Sequence, residues 1–349
     1  MTSIAKKKYP MGFVILGKSR LGVLVDILRE KYDVFGPTKE GPDYCFGEIH
    51  SVNDLVLDYD MTILPPKKFL LLPKETLFNF KNGEVIPIDP TPKKKKVLLG
   101  IHSCDLSSFL YLDEIYSSHR VDPRYSIRRQ NLLIIACSCV EPCDVGFCVS
   151  MGAGPYPRAG FDLLLTDLGE EYLVEIGSEA GSQLIKNVEI VRATPKDVGQ
   201  RSKLFSEIER KFRKRINTKN LTRLIKENLD HPVWDKIGER CLACGQCALV
   251  CPTCFCFDVR DKVDLSLQTG ERYRTWDVCL LLEFSEVALG ENFRSRRKDR
   301  LRQFQCHNLV WSKEQFGMPK CVGCGRCIRV CPVHIDITET IRELRGESK

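Results

Sequence analysis

Eighteen of the 349 residues are cysteine, and eight of them form one string written twice. Cys241, Cys244, Cys247 and Cys251 precede Pro252; Cys321, Cys324, Cys327 and Cys331 precede Pro332. Both read Cys-x2-Cys-x2-Cys-x3-Cys-Pro, the spacing by which thiolates hold [4Fe–4S] clusters. Three thiolates on a tight loop cover one face of the cube, and the fourth, at the start of a helix beyond, points to the other cluster. The expected sets are therefore Cys241, Cys244 and Cys247 with Cys331, and Cys321, Cys324 and Cys327 with Cys251. Gly245 and Gly325 lie inside the loops, where a missing side chain lets backbone N–H groups approach sulfide. Zinc also takes four thiolates, but its sites usually show two separated pairs, so three evenly spaced cysteines and a Cys-Pro favour iron–sulfur.

Five further cysteines gather at the ends of two apolar segments. Cys104, in His102-Ser103-Cys104-Asp105, follows the expected strand Val97 to Ile101 and opens a helix through Leu106, Leu110 and Ile115. The expected strand Leu132 to Ala136 runs into Cys137, Cys139, Cys143 and Cys148 and a turn, Gly152 to Pro155. Free cysteine packs like a small hydrophobe, which accounts for one or two of the five. The convergence of the rest points to a third cluster held by Cys104, Cys139, Cys143 and Cys148, with Asp105 a candidate oxygen ligand. Cys254, Cys256 and Cys279 read as buried neighbours of a cluster in preference to metal ligands. His307 and His334 have no companion at ligand spacing, and Cys45 and Cys306 receive no role.

The elements that must position these residues follow from periodicity. Phe13 to Leu16, a helix through Leu21, Val25 and Leu28, and a strand Tyr32 to Phe35 closed by Gly36-Pro37 make an α/β beginning. Glu84 to Ile88 and Val97 to Ile101 read as strands on either side of Lys93 to Lys96. Phe161 to Thr166 and Tyr172 to Ile176 form a hairpin around Gly169. From Thr194-Pro195 charged helix takes over, with Leu204, Ile208, Phe212 and Ile216 on one stripe and Leu221, Leu224, Ile225 and Leu229 on the next. Between the cysteine strings, a strand pair around Thr269-Gly270 and an amphipathic helix from Val278 to Leu289 are expected. The fold class is α+β: an amino-terminal α/β domain over residues 1–195, then a mainly helical ferredoxin-type two-cluster domain over residues 196–349.

Composition narrows the setting. Behind Lys6, Lys7 and Lys8 the apolar run Met11 to Leu16 is too short for a secretion signal, so reduced, cytoplasmic thiols are expected. No stretch approaches the roughly 20 apolar residues of a membrane span, and no direct membrane insertion is expected. The net charge of +7 gathers in Lys93 to Lys96, Arg210 to Arg215 and Arg294 to Arg302. Without interleaved aromatics these runs speak against nucleic acid and for solvated faces or a docking surface for an acidic partner. Gly-x-Gly-x-x-Gly and phosphate-loop motifs are absent, as is a glycine-framed serine nucleophile, so electrons are expected to pass without a nicotinamide site on this chain.

The motifs together resemble the iron–sulfur beta subunits of cytoplasmic [NiFe] hydrogenases, or sulfhydrogenases, and the related A subunit of anaerobic sulfite reductase. The likeness rests on Pro65-Pro66-Lys67-Lys68 with Leu72-Pro73 and Glu75, on Cys104-Asp105-Leu106, and on Cys148-x-Ser150-Met151-Gly152-x-Gly154-Pro155. It extends through Cys251-Pro252-Thr253-Cys254-Phe255-Cys256, Trp276-Asp277-x-Cys279, Asn292-Phe293-Arg294 and the second cluster loop. The resemblance implies an electron-transfer subunit carrying two or three low-potential [4Fe–4S] clusters. Its implied partners are a ferredoxin-reductase-like flavoprotein subunit with FAD and NAD(P), and a hydrogenase or sulfur-compound reductase subunit. Two departures stand out: Gly146-Phe147-Cys148 replaces the family's Cys-Phe-Cys, with Cys143 a substitute, and Leu289-Gly290-Glu291 replaces Gly-Gly-His. An incomplete amino-terminal ligand set would suit a second reading, a catalytic reductase subunit with an open-site cluster. A basic scaffold or nucleic-acid-binding protein with structural metal is the third.

Overall fold

The computed structural model describes residues 12–347; Lys6, Lys7, Lys8 and Met11 lie outside the described residues. Strand β1 (Gly12–Gly17) leads to helix α1 (Leu21–Lys31), whose Leu21, Leu24, Val25 and Leu28 are buried. β2 (Asp33–Glu40) and β3 (Asp43–Glu48) form a hairpin. β2 does not stop at Gly36-Pro37. β6 (Lys96–Ile101) pairs only with Asp33 to Phe35, so Pro37 sits where the strand has a single neighbour, a position that tolerates its missing N–H.

β4 (Lys74–Lys81) and β5 (Glu84–Pro87) join a different sheet from β6. The lysine run is therefore a crossing between sheets, and Lys96 pairs with Asp33 at 3.5 Å. β6 leads into α2 (Ser103–Glu114), and α3 (Pro123–Gln130) returns the chain to β7 (Leu132–Cys137). β8 (Leu163–Asp167) and β9 (Glu171–Ile176) form the expected hairpin. The eight-stranded sheet has the order β10-β1-β9-β8-β7-β6-β2-β3, with β10 at Val191–Arg192. Its centre, β2, β6, β7 and β8, is parallel. Such strands bury both faces, and Val97 to Leu99 of β6 are fully enclosed. In open sheets of this kind ligands collect at the carboxyl ends of the strands, where Cys104 and Cys139 follow β6 and β7.

The short α4 (Glu179–Leu184) precedes α5 (Pro195–Lys211), which opens with a Thr194–Asp197 capping box and proline in its first turn. Phe212 and Ile216 lie beyond its end yet remain buried. α6 (Leu221–Glu227) and α7 (Val233–Arg240) lead to the first cysteine string. Two departures follow it. β11 (Phe257–Val263) and β12 (Thr269–Trp276) turn around residues 264–268, so Thr269-Gly270 lies inside a strand. β12 also pairs with β4, giving a four-stranded sheet, β11-β12-β4-β5, built from both sides of residue 195.

The helix expected over Val278 to Leu289 is not formed; only short 3-10 turns at Glu283–Ser285 and Ala288–Gly290 occur. The Asn292 side chain donates to the Leu282 carbonyl and accepts from Ser285 Oγ, and Glu286 bridges Asn292. These contacts take backbone groups that a helix would have used. α9 (Arg297–Cys306) and α10 (Ser312–Phe316) then lead to the second string, and α12 (Ile337–Leu344) follows the short α11 (Arg326–Arg329). No helix among the described residues is long and apolar enough to cross a membrane.

Candidate metal centres

The two cysteine strings fold alike and share the hydrogen bonds that shape their loops. Ala243 N–H donates to Cys241 Sγ at 3.3 Å, and Gly323 N–H to Cys321 Sγ at 3.4 Å. Gly245 and Gly325 then turn through φ +77° and +81°, a region that strains other residues. A one-turn helix follows each: α8 (Gln246–Leu249), and α11. Cys251 N–H closes on Ala248 and Cys331 N–H on Ile328.

In both copies the first three thiols share a loop, and the fourth is carried away from it. Cys241, Cys244 and Cys247 line one cavity together with Cys331 of the other string, walled by Leu280, Leu301, Phe304 and Ile337. Cys321, Cys324 and Cys327 face Cys251, and Cys327 faces Cys247 as well. Burial pushes the Cys321, Cys327 and Cys247 thiols far above their ordinary range, and the neighbouring thiols add to the rise. Groups of four apolar-walled thiols suit a cofactor that takes thiolates and releases their protons on binding. Among the described residues no three Cys, His, Asp or Glu side chains enclose a single ion. Thiolates at the corners of a cube stand farther apart than ligands of one ion.

The four amino-terminal candidates also come together. Cys139 faces Cys148 and Cys143, while Cys104, at the start of α2, faces Cys148 and the second string's Cys324. Burial pushes the Cys143 and Cys148 thiols up to about 12. The loop that carries Cys148 is seated directly on the second string: Phe147 N–H donates to the Gly323 carbonyl at 2.8 Å. A Cβ on Gly323 would stand 2.8 Å from Cys148 Cα, and one on Gly325 2.4 Å from the Val145 carbonyl.

Asp105 is placed differently from the expectation of an oxygen ligand. Both carboxylate oxygens accept from Arg326, at 2.7 and 2.8 Å, and each side chain is 1% exposed. Arg326 also donates to the Thr62 carbonyl at 2.7 Å and to Thr62 Oγ1 at 3.2 Å. A buried guanidinium on the second loop thus takes the lone pairs offered to metal and ties that loop to the first half. Arg326 stands among the cysteines of the string, where its charge reads as surface until burial is seen.

Cys254, Cys256 and Cys279 gather, with Cys256 neighbouring both of the others. The neighbouring Cys256 holds Cys279 below the ordinary thiol value, against burial. Two buried lysines, Lys67 and Lys320, flank this group; the Pro-Lys segment was the only sequence signal of the first. His307 is half-buried beside Phe255, and His334 takes φ +52° after Cys331.

The basic runs are largely knitted into the fold. Arg300 donates to the carbonyls of Leu280, Arg294 and Ser295, Arg297 to that of Cys241, and Arg302 to that of Leu229. Lys214 pairs with Asp336 at 2.6 Å.

Two ferredoxin-type loops that exchange their fourth cysteine, on a chain whose sheet is parallel at its centre, define an iron–sulfur protein. In agreement, residues 240–335 match the family model described as a 4Fe-4S dicluster domain. Sulfhydrogenase 2 subunit beta of Pyrococcus furiosus is 37% identical over 321 residues, covering 91% of this chain and 94% of that protein. The chain belongs to this family of hydrogenase beta subunits. No solved structure matches it.

Proposed function

We propose that the chain is the electron-transfer subunit of an anaerobic multi-subunit oxidoreductase. It relays single electrons between a subunit that binds FAD and NAD(P) and a hydrogenase or sulfur-compound reductase subunit. In this reading Cys241, Cys244, Cys247 and Cys331 hold one [4Fe–4S] cluster, and Cys321, Cys324, Cys327 and Cys251 hold another. Cys104, Cys139, Cys143 and Cys148 hold a third iron–sulfur group. When bound, each group supplies a one-electron carrier without bond chemistry of its own.

The observation that carries the reading is the unbroken succession of thiol sets. Cys327 of the second set faces Cys247 of the first, and Cys324 faces Cys104 and Cys148 of the third. Cys244 is the one exposed cysteine, which puts an edge of the first set at the surface for a partner. The chain's part is to bury the other sets, hold the loops together through Arg326 and Asp105, and keep water from the path.

Anaerobic purification with iron analysis and identification of attached subunits tests this. About twelve irons per chain, four for each of three cubes, with a flavoprotein attached, is the expected result; about eight would remove the third set. Zinc in place of iron would overturn the relay. The second reading, catalysis at the amino-terminal set, draws on Gly146 in the place of a family cysteine. A change in that set's EPR signal on adding sulfite would favour it.

A further inference from the structure

Lys67 and Lys320 stand where ammonium groups rarely do. Each is 2% exposed. Lys67 follows Pro65-Pro66 and sends its Nζ to the carbonyls of Cys251 and Cys254, at 2.8 and 2.9 Å, with the Trp276 ring 4.4 Å away. Lys320 immediately precedes Cys321, and its Nζ lies 5.2 Å from the Phe255 ring centroid. Arg326, equally buried, has Asp105 as its counter-ion. The charged and titratable groups facing the two lysines are instead Cys251, Cys254, Cys256 and Tyr111, for Lys320 also Cys279, Cys321 and His307, and, for Lys67, Lys320 itself.

Two like charges taken out of water without a carboxylate are unfavourable unless an anion lies within reach. Carbonyl dipoles and aromatic faces offset part of this, but they leave the net charge unmatched. Both lysines share Cys251, Cys254 and Cys256 as neighbours, and of these Cys251 is the thiol that crosses from the first string into the second set. Four thiolates around an iron–sulfur cube make a site of net negative charge, which grows by one on reduction.

We propose that Lys67 and Lys320 are the buried counter-charges of the second cysteine set, stabilising its reduced form and raising its reduction potential. The inference rests on the relay reading above. One electron arrives from a neighbouring set, and the redox step itself takes up no proton. Their attraction acts through protein, where it is weakly screened. Among the described residues the first set has no buried equivalent: Arg297, which donates to the Cys241 carbonyl at 2.9 Å, is exposed to solvent, and salt and water screen it.

The test is an EPR-monitored redox titration of the complex purified anaerobically with its partner subunits. Lys67→Met and Lys320→Met keep the apolar stem and remove the charge; Lys320→Arg keeps the charge. The second set's signal is identified as the one lost in Cys324→Ala. The expected result is a shift of that signal to lower potential in each Met variant and further in the double variant. The other signals stay in place, iron content is unchanged, and Lys320→Arg lies near the wild type. Unmoved midpoints in folded, fully iron-loaded variants overturn the proposal, as does an equal shift of every signal. Should a Met variant not fold, Lys67→Gln and Lys320→Gln give the same reading, and a midpoint that ignores the charge in those variants overturns it equally. Iron analysis of the wild type comes first: absence of a second cluster there is failure of the relay reading, recognised before any lysine is changed.

Discussion

Arg326 and Asp105 make an ion pair that neither partner can leave cheaply. Each is 1% exposed, and removing one strands the other's charge in the interior, an effect of roughly 3–5 kcal/mol. Arg326→Met is therefore expected to lower the thermal midpoint sharply, whereas Arg326→Met with Asp105→Leu should recover much of the loss; a double-mutant cycle measures this. Two histidines add to the pH dependence on the acid side. Burial pushes His102, stacked 4.0 Å from Tyr59, down to about 4, and burial with Lys320 and Arg294 nearby pushes His307 down to about 3. The unfolded chain protonates each imidazole near pH 6.5, while the native state resists. Their contribution is thus complete above pH 6.5 and is lost as pH falls toward 4 for His102 and toward 3 for His307, by up to about 3 kcal/mol for His102. Thermal midpoints at pH 7 and pH 5 should differ, and His307→Gln should reduce the difference.

Among the elements, the small sheet is the seam of the molecule. Glu75 on β4 is 5% exposed and meets Arg124 and Arg128 of α3 and Arg274 of β12. Burial alone would raise its carboxyl, but the arginines outweigh burial and hold it below the usual carboxylate range. The charge is thereby used to fasten a strand of the first half to a strand from between the cysteine strings. Glu75→Gln keeps the shape and leaves three guanidinium groups sharing less charge; a loss of roughly 2–4 kcal/mol in chemical denaturation is expected. A change below about 0.5 kcal/mol would mean that Asp122, which also meets Arg274 at 2.5 Å, suffices.

On the scale of the whole molecule, the sheet and the loop contacts make the two halves interdependent. Residues 196–349 expressed alone would expose the edge of β12 that β4 covers and the face of the second string that meets Phe147. Unpaired edges promote association, so this fragment should aggregate or retain less iron than the full chain, measured by gel filtration and iron content. A monodisperse fragment with two full clusters would show that the ferredoxin-type unit stands without the first half.

What the sequence determined by itself was local chemistry. A thiolate loop around a cube needs its cysteines within a few residues, so Cys241 to Cys251 and Cys321 to Cys331 were legible, as were strands such as Leu132 to Ala136, whose apolar run is its own signal. The gathering of Cys104, Cys139, Cys143 and Cys148 could be read because both strand ends carried cysteine. Tertiary structure alone decided the partners brought from far along the chain. Asp105 meets Arg326 across 221 residues and Lys67 meets Cys251 across 184, and no periodicity marks a charge that is to be buried. The segment after Val278 failed as a helix for the same reason: Asn292 captured its backbone groups, a competition visible only once the chain had folded back.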